Sequence, residues 1–426
     1  MLVLSNLSAS AQAPSGFAGN LSPPFQGILA QPSDLNNTLQ YAAAASADDI
    51  ESAIGTYEQL LFYNPTLSRV RFELGVLYFR LGSYEMARSY FQSALQMRDI
   101  TPDLSAHAQE LIEVIDKKLQ VDQFTGYVQT GLAYQTNPGA GPGGQTVLAS
   151  GRTFNSSFFS KPDWNWYGGF GLNYIHDFEN QNGDTFEASA VAYDAQQFTL
   201  HQFDVGVLEL RAGPRFGIPT GDPKTSLSIK PYLIATGALL ADAPYYGGLG
   251  GGLTLHTNVG TVALDPYAEI VQQSFRNSSF YPLASGLSGT LSTYGLQASG
   301  PVVNSVSWQS RLGFGHASDH FGPDSYDVYA ADLWLPWNFS FPGDGRIWTL
   351  IPSVGASHWL YAAPDPTIDP TKTPRSTEWR VGLGSEIPLW RHLVLGTLVQ
   401  YRADQSNIPA FTMHDLSVSA GPTFKF

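Results

Sequence analysis

Two short stretches of the chain carry residue types that could perform hydrolysis. The sequence GHASDHFG places His316 and His320 four residues apart with Asp319 between them, and the sequence DQSN contains Ser406. A nucleophilic serine needs a base within hydrogen-bonding reach, but Ser406 has no histidine beside it in sequence. Histidines on neighbouring strands could still approach it, so a hydrolase remains the lesser alternative. We predict that the chain is not an enzyme and that these histidines lie in a loop or a lumen.

The sequence contains no pattern that is typical of a cofactor site or a metal site. The chain has no cysteine, which removes thiol catalysis and thiolate metal sites. Its glycines lack the strand–loop–helix setting and the Gly-Lys-Ser/Thr signature of a phosphate loop. Two histidines four apart are a weak metal site without a third ligand, and proline and threonine dominate the acidic segment PDPTIDPTKT, which favours a solvated loop over a calcium site. We predict no cofactor and no metal.

The composition excludes nucleic acid as a partner and a helical membrane protein as the fold. The formal net charge is −14, and acidic residues outnumber basic ones both before and after residue 124. Charged residues make up 14% of the chain, against about 25% in soluble domains, so something other than charge covers much of its surface. No apolar run approaches the ~18 residues that a membrane helix needs.

A helical period governs residues 36–122, where a 34-residue repeat is visible. The segment SRVRFELGVLYFRLGSYEMARSYFQSALQMRD, which begins at Ser68, is similar to a tetratricopeptide repeat. The matching positions are Leu74, Gly75, Tyr78, Ala87, Phe91 and Ala94. Upstream, Ala53, Tyr57 and Leu60 precede the last three of these by 34 residues each. A further helix begins after the predicted N-cap Thr101 and closes a short domain of two to two and a half repeats.

After residue 124 the period changes from helix to strand, and we place a second domain at residues 125–426. The chain ends HDLSVSAGPTFKF, in which Leu416, Val418 and Phe424 alternate with Ser417 and Lys425. Fourteen to sixteen segments alternate in this way, separated by turn clusters such as NQNGD and FPGDG. A soluble sandwich also alternates, so alternation alone does not decide between a soluble and a membrane protein.

Three observations favour a barrel in a membrane over a soluble sandwich. All nine tryptophans lie between Trp164 and Trp390, many near predicted strand ends, where an aromatic girdle would place them. The second face of the strands carries Arg, Glu, Gln and Gly, which suit a wet lumen better than a packed core. The chain stops on Phe426 at the end of an alternating strand. The predicted fold is α+β: a short α-solenoid followed by a transmembrane antiparallel β-barrel of about 14 strands, with 16 possible.

The first residues, MLVLSNLSASAQAPSG, have the composition of the end of a secretory signal, with small-x-small sites at Ala9–Ala11 and Ala11–Ala13. We predict a signal-peptide remnant at residues 1–13 and a linker at 14–35. An ordinary flexible terminus rich in alanine and serine is the alternative.

The order of the two domains resembles that of the surface lipoprotein assembly modulator family. The resemblance covers residues 40–426 and includes the first barrel strand and its turn, GYVQTGLAYQTNP, and the closing hairpin YRADQSNIPAFTMHD. It implies a fourteen-stranded barrel in the outer membrane of a Gram-negative bacterium and a periplasmic tetratricopeptide domain. That domain would receive a client, a lipoprotein or secreted protein, which the barrel delivers to the cell surface. The implied partners are outer-membrane lipid, the client and the barrel-assembly machinery; a porin or polysaccharide-export channel is the alternative.

The resemblance implies two groups of candidate functional residues. In the tetratricopeptide register, one face of a helix lines the client groove, and this face comprises Arg69, Phe72, Val76, Phe79 and Arg80. The alternative is that its apolar members pack on neighbouring helices. The terminal aromatics Phe424 and Phe426 resemble the signal by which outer-membrane barrels are recognised for insertion.

Overall fold

A computed structural model describes residues 50–142, 160–180, 182–220, 225–343, 345–366 and 368–426, except for the side chain of Lys117. The chain divides into two compact units, Met1–Gln120 and Val121–Phe426. The predicted signal remnant (1–13), the linker (14–35) and the beginning of the predicted helical domain (36–49) lie outside the described residues.

The described part of the first unit consists of four helices. They are α1 (Ile50–Tyr63), α2 (Ser68–Arg80), α3 (Tyr84–Leu95) and α4 (Pro102–Lys118). Helix α2 ends where Gly82 adopts a φ of +75°, and the amide of Ser83 donates to the carbonyl of Tyr78 to close the turn into α3. The predicted N-cap Thr101 is confirmed, because its hydroxyl oxygen accepts a hydrogen bond from the amide of Leu104. Among the described residues, no helix is long and apolar enough to cross a membrane.

The 34-residue offset read from the sequence joins positions with the same role in the helical core. Ala53 and Ala87 are both fully buried, as are Tyr57 and Phe91 at the next pair of positions. Ala87 and Phe91 belong to a core formed by α2, α3 and α4, whereas Ala53 and Tyr57 belong to a core between α1 and α2. Each helical pair therefore buries its apolar face against the next helix, as in stacked repeats.

The second unit is one antiparallel sheet of fifteen strand segments. They are β1 (Asp122–Gln135), β2 (Asp163–Asp177), β3 (Thr185–Gln197), β4 (Val205–Gly217), β5 (Leu227–Leu240), β6 (Ala243–Val259), β7 (Val262–Phe275), β8 (Gly289–Val303), β9 (Val306–Asp319), β10 (Tyr326–Trp334), β11 (Trp337–Phe339), β12 (Trp348–Tyr361), β13 (Arg375–Trp390), β14 (Leu393–Ser406) and β15 (Met413–Lys425). Each strand pairs with the next along the chain, except that β10 and β11 both pair with β9 and β12, and β15 pairs with β1. The sheet therefore closes on itself.

Two of the segments share one position in the ring, which sets the strand number. Both β10 and β11 lie between β9 and β12 and pair with both. The break falls at Leu335 and Pro336, and proline has no N–H to donate to a ladder. The barrel thus has fourteen strands, one of them interrupted, which confirms the predicted fold and selects 14 over 16.

The two ends of the barrel differ in the length of their connections. At the end where β1 begins and β15 finishes, the connections between strands have two to nine residues, and three of them consist of two residues (260–261, 304–305 and 391–392). The opposite end carries the long connections 136–162, 276–288 and 362–374. We call these the short-turn end and the long-loop end. The uninterrupted strands have 13 to 17 residues, more than the ~9–11 needed to cross a bilayer at a tilt.

Candidate functional site

The inward face of the barrel carries ionised side chains that water can reach. The basic groups keep a substantial part of their side chains exposed: Arg211 32%, Arg311 32%, Arg215 34%, Arg402 35% and Lys425 43%. Their carboxylate partners lie closer to the wall: Asp332 7%, Glu378 11%, Glu269 13% and Glu187 14%. An unhydrated interior could not hold such charges, so the described strands enclose a wet lumen.

One group of lumenal charges extends over β3 to β7. Arg211 on β4 pairs with Glu209 on its own strand (2.8 Å) and also reaches Glu269 on β7. This second contact passes over β5 and β6, and the hydroxyl of Tyr232 on β5 donates to the same carboxylate at 2.7 Å. Beside it, Glu187 on β3 binds two cations, Arg215 at 2.9 Å and Lys230 at 2.7 Å.

A second group of lumenal charges extends over β9 to β14. Asp332 on β10 accepts from Arg311 on β9 (2.9 Å) and from Arg380 on β13 (2.8 Å). Arg380 also binds Glu378, whose other oxygen lies 3.8 Å from Arg402. Gly355 on β12 lies beneath the contact between Asp332 and Arg380, and a Cβ there would meet the guanidinium at 3.0 Å. These networks tie non-adjacent strands together across the lumenal wall.

Lumenal tyrosines lie flat on glycines of the adjacent strand. A Cβ added at Gly252 would stand 2.6 Å from the ring of Tyr232, and one added at Gly295 would stand 2.5 Å from the ring of Tyr267. No side chain fits at either glycine without displacing the ring. The arrangement holds these two rings against the wall rather than across the lumen.

The outward face is apolar over the middle of the strands. On β15 the exposed face includes Leu416, Val418 and Phe424, while Asp415 and Thr423 on the other face are buried. Other strands behave alike: Leu233, Leu249 and Ile270 are exposed, each next to a lumenal residue. An exposed apolar band around a polar lumen is the inverse of a soluble protein and is the pattern of a membrane-spanning barrel.

Tryptophans mark both edges of this apolar band. Trp164 and Trp166 are exposed on the outward face at the start of β2, near the long-loop end, and Trp390 is exposed at the end of β13, near the short-turn end. Two others do not join the girdles, because Trp334 is in register with lumenal Gln309 and Trp359 with lumenal Val328. The signal that predicts girdles from sequence does not reveal which face a given tryptophan occupies.

The terminal aromatics close the barrel at the short-turn end. Phe426 exchanges two backbone hydrogen bonds with Gly126 on β1, of 2.9 and 3.0 Å. Its ring stacks on Phe424 at 6.3 Å, and a Cβ at Gly126 would meet this ring at 2.8 Å. The last residue of the chain therefore lies on the seam between the first and last strands, with its side chain on the outward face.

The five predicted client-binding residues are divided between the core and the surface of the helical unit. Phe72 is buried, with its ring 5.3 Å from that of Phe91, and Val76 and Phe79 pack against the same core. This is the packing named above as the alternative for the apolar residues. Both arginines are exposed, Arg69 in the first turn of α2 and Arg80 at its end. Client binding stays a prediction for all five residues.

Beside the core between α1 and α2, an exposed carboxylate is held by two tyrosines. Glu58 on α1 accepts hydrogen bonds from Tyr78 (2.9 Å) and Tyr90 (3.4 Å), whose rings stack at 5.4 Å. Burial, together with this hydrogen bond, raises the pKa of Tyr78 to about 12. Its hydroxyl therefore stays protonated and donates to Glu58 throughout the neutral range.

The residues considered for hydrolysis have structural partners. The hydroxyl of Ser406 donates to the carbonyl of Arg375 and accepts from the amide of Ile408, within the turn that leads to β15. His316 pairs with Asp327 on the adjacent strand at 2.7 Å. In the acidic segment, Thr371 donates two hydrogen bonds to Asp369, and these hold the pKa of Asp369 below its ordinary value. Among the described residues, no group of three or more His, Asp or Glu side chains could hold a metal.

No protein-family model matches the chain, and no curated protein matches it in sequence. Solved structures with a similar fold include the outer membrane channel DcaP of Acinetobacter baumannii, 8% identical over 72% of this chain and 97% of that one, with a TM-score of 0.38. An anion-selective porin from Comamonas acidovorans is 10% identical over 72% and 99%, with a TM-score of 0.35. OpdK from Pseudomonas aeruginosa is 9% identical over 71% and 98%, with a TM-score of 0.33.

Proposed function

We propose that the protein spans a bacterial outer membrane and that its barrel forms a water-filled channel. The observation that carries this proposal is the contrast between the two faces of one strand. On β13, the lumenal Arg380 and Glu378 alternate with the exposed apolar Trp379 and Val381. Lipid satisfies the apolar face, and ionised groups on the other face require water.

The lengths of the connections indicate which end of the barrel faces the periplasm. Outer-membrane barrels have short turns on the periplasmic side and longer loops outside. The short-turn end, where β1 begins and β15 finishes, is then periplasmic. Because only residues 119–121 separate α4 from β1, the helical unit lies on the periplasmic side as well.

Conductance in planar bilayers tests the channel directly. Purified full-length chain, added at nanomolar concentration, is expected to produce stable open steps, because the charges on the lumenal wall keep the path hydrated. The same preparation after boiling is the control and is expected to be silent. A barrel that inserts but stays closed or only flickers would contradict a permanently open channel.

A second candidate is delivery of a client protein to the cell surface through the same barrel. The observation that favours it is the helical unit, whose 34-residue offset joins buried positions as stacked repeats require. Such repeats serve mainly to present surfaces to other proteins. In this proposal a periplasmic lipoprotein or secreted protein binds the helical unit, and Arg69 and Arg80 contribute to the binding surface.

The double variant Arg69→Ala, Arg80→Ala tests whether this surface of the helical unit binds a client or has only a structural role. Neither guanidinium belongs to the helical core, so the helicity and melting temperature of the unit should stay unchanged. Display of a co-expressed client, measured by surface labelling of intact cells, should fall several-fold because arginines often carry much of an interface's binding energy. Undiminished display would place the client contact elsewhere.

A further inference from the structure

The lumenal wall formed by β7 to β10 contains a cavity of about 210 Å³. Its floor consists of residues with little or no side chain, namely Gly313 and Ala330, which are directly paired, while Val328 covers the neighbouring Gly315. Larger side chains surround this floor: Tyr267, Leu291, Arg311, Tyr326 and Val328. The strand register places all of these on the lumenal face, so the cavity opens to the proposed water path.

Arg311 is the charged group of this cavity and has hydrogen-bonding capacity to spare. Among the described residues it donates one hydrogen bond, from Nη2 to Asp332 at 2.9 Å, and a guanidinium carries five N–H donors. Asp332 is also bound by Arg380, so two cations share this carboxylate. The side chain of Arg311 is one third exposed, and its guanidinium can take a second carboxylate in a bidentate contact.

The rest of the cavity suits a flat apolar ring. The rings of Tyr267 and Tyr326 lie on its sides, and Leu291 and Val328 supply aliphatic surface. A cavity of about 150 Å³ lined by apolar side chains holds benzene, so 210 Å³ admits a benzene ring with a carboxylate attached. The glycine floor lets a ring approach the backbone of β9 closely. Acetate would leave this apolar surface uncovered, and phosphate would make no use of it.

We propose that this cavity is a binding site for a small aromatic carboxylate of the benzoate class. The carboxylate binds Arg311, and the ring lies over Gly313 and Ala330 between the two tyrosines. The site rests on the proposed function only in that the lumen admits water and solutes. Solutes of this class would bind at this one position along the lumen.

Calorimetric titration of the purified full-length protein in detergent micelles tests the site without requiring conductance. Sodium benzoate is the probe; benzamide keeps the ring without the charge, and acetate keeps the charge without the ring. Benzoate is expected to bind saturably, and the other two at least about tenfold more weakly, because a hydrogen-bonded ion pair and an apolar ring each contribute more than a factor of ten.

Three variants assign the binding to this cavity. Arg311→Gln removes the charge and leaves Asp332 with Arg380, and it should weaken benzoate at least about tenfold. Gly313→Val fills the floor; its Cβ would stand 3.6 Å from the Tyr267 hydroxyl, an ordinary contact, so the barrel is expected to fold and lose benzoate binding. Arg215→Gln is the matched control, because Arg215 is equally exposed, lies outside the cavity, and leaves Glu187 with Lys230.

The possible results distinguish a failure of the proposed binding site from a failure of the proposed channel. Loss of binding in Arg311→Gln and Gly313→Val, with Arg215→Gln unchanged, supports the site even if the bilayer experiment shows no open channel. Equal binding of benzamide and benzoate overturns it, and so does benzoate binding that neither cavity variant alters. A conducting protein that does not bind benzoate contradicts this inference and leaves the channel intact. Heat-modifiable migration on gels establishes that each variant is a folded barrel.

Discussion

Replacing Phe426 with aspartate should reduce the assembled barrel in the membrane at least about tenfold while leaving synthesis unchanged. Phe426 closes the seam between β15 and β1 through its backbone bonds to Gly126, and its ring lies outward on Phe424. Aspartate loses the apolar contact of this ring with lipid and with Phe424, and a charge on the lipid face adds up to about 1 kcal/mol near the interface. The amount of heat-modifiable protein in isolated outer membranes measures assembly.

Two controls show whether the ring or the charge is responsible. Phe426→Tyr keeps an aromatic at the seam and should assemble normally. Ser417→Asp places the same charge on the lumenal face of the same strand, opposite Gln400, and should also assemble because this face is wet. Normal assembly of Phe426→Asp would contradict both the importance of the seam contact and the predicted role of Phe424 and Phe426 as an insertion signal.

Replacing Gly75 with leucine should unfold the helical unit at ordinary temperature. A Cβ at Gly75 would stand 2.6–2.9 Å from three ring atoms of Phe91. That ring cannot move aside, because it is fully buried and packs on Phe72. Forcing extra carbons into a packed core costs about 1–3 kcal/mol, a large fraction of the stability of so short an array of repeats. Thermal melting of the full-length protein in detergent, followed by circular dichroism at 222 nm, measures the helices.

The chain offers a matched control for this substitution. Gly55 also lies in a helix, but nothing stands within 4 Å of a Cβ there. Gly55→Leu should leave the melting temperature unchanged or raise it, since leucine favours a helix over glycine by nearly 1 kcal/mol. Equal melting of the two variants would contradict the tight contact between α2 and α3.

Much of the architecture was predictable because it depends on short-range periodicity. Alternation along β15 identifies Val418 as outward and Ser417 as inward without knowledge of any partner strand, and the 34-residue offset finds the buried Ala53 and Ala87 in the same way. Two lumenal pairs, Glu209 with Arg211 and Glu378 with Arg380, also have a local signal, since residues two apart share a strand face.

The composition of the lumenal networks was not predictable from the sequence. The contact between Arg211 and Glu269 passes over two intervening strands, so it depends on the register of three separate pairings. A slip of one residue in any of them would move one partner to the lipid face. The same holds for the cavity beside Arg311, whose floor combines Gly313 with Ala330 of the next strand. In the helical unit, the period placed Phe72 on a possible groove, but only packing of α3 and α4 shows that its ring is buried.

The most direct test of the account is the reactivity of single cysteines along β15, because the chain has no cysteine of its own. In sealed proteoliposomes, a membrane-impermeant maleimide should label Ser417→Cys and Ser419→Cys through the wet lumen. It should leave Val418→Cys unlabelled until detergent is added, because that residue faces lipid. This alternation is the result that a channel with an apolar exterior and a hydrated lumen predicts. Equal labelling of all three positions, or labelling of Val418→Cys alone, would contradict it.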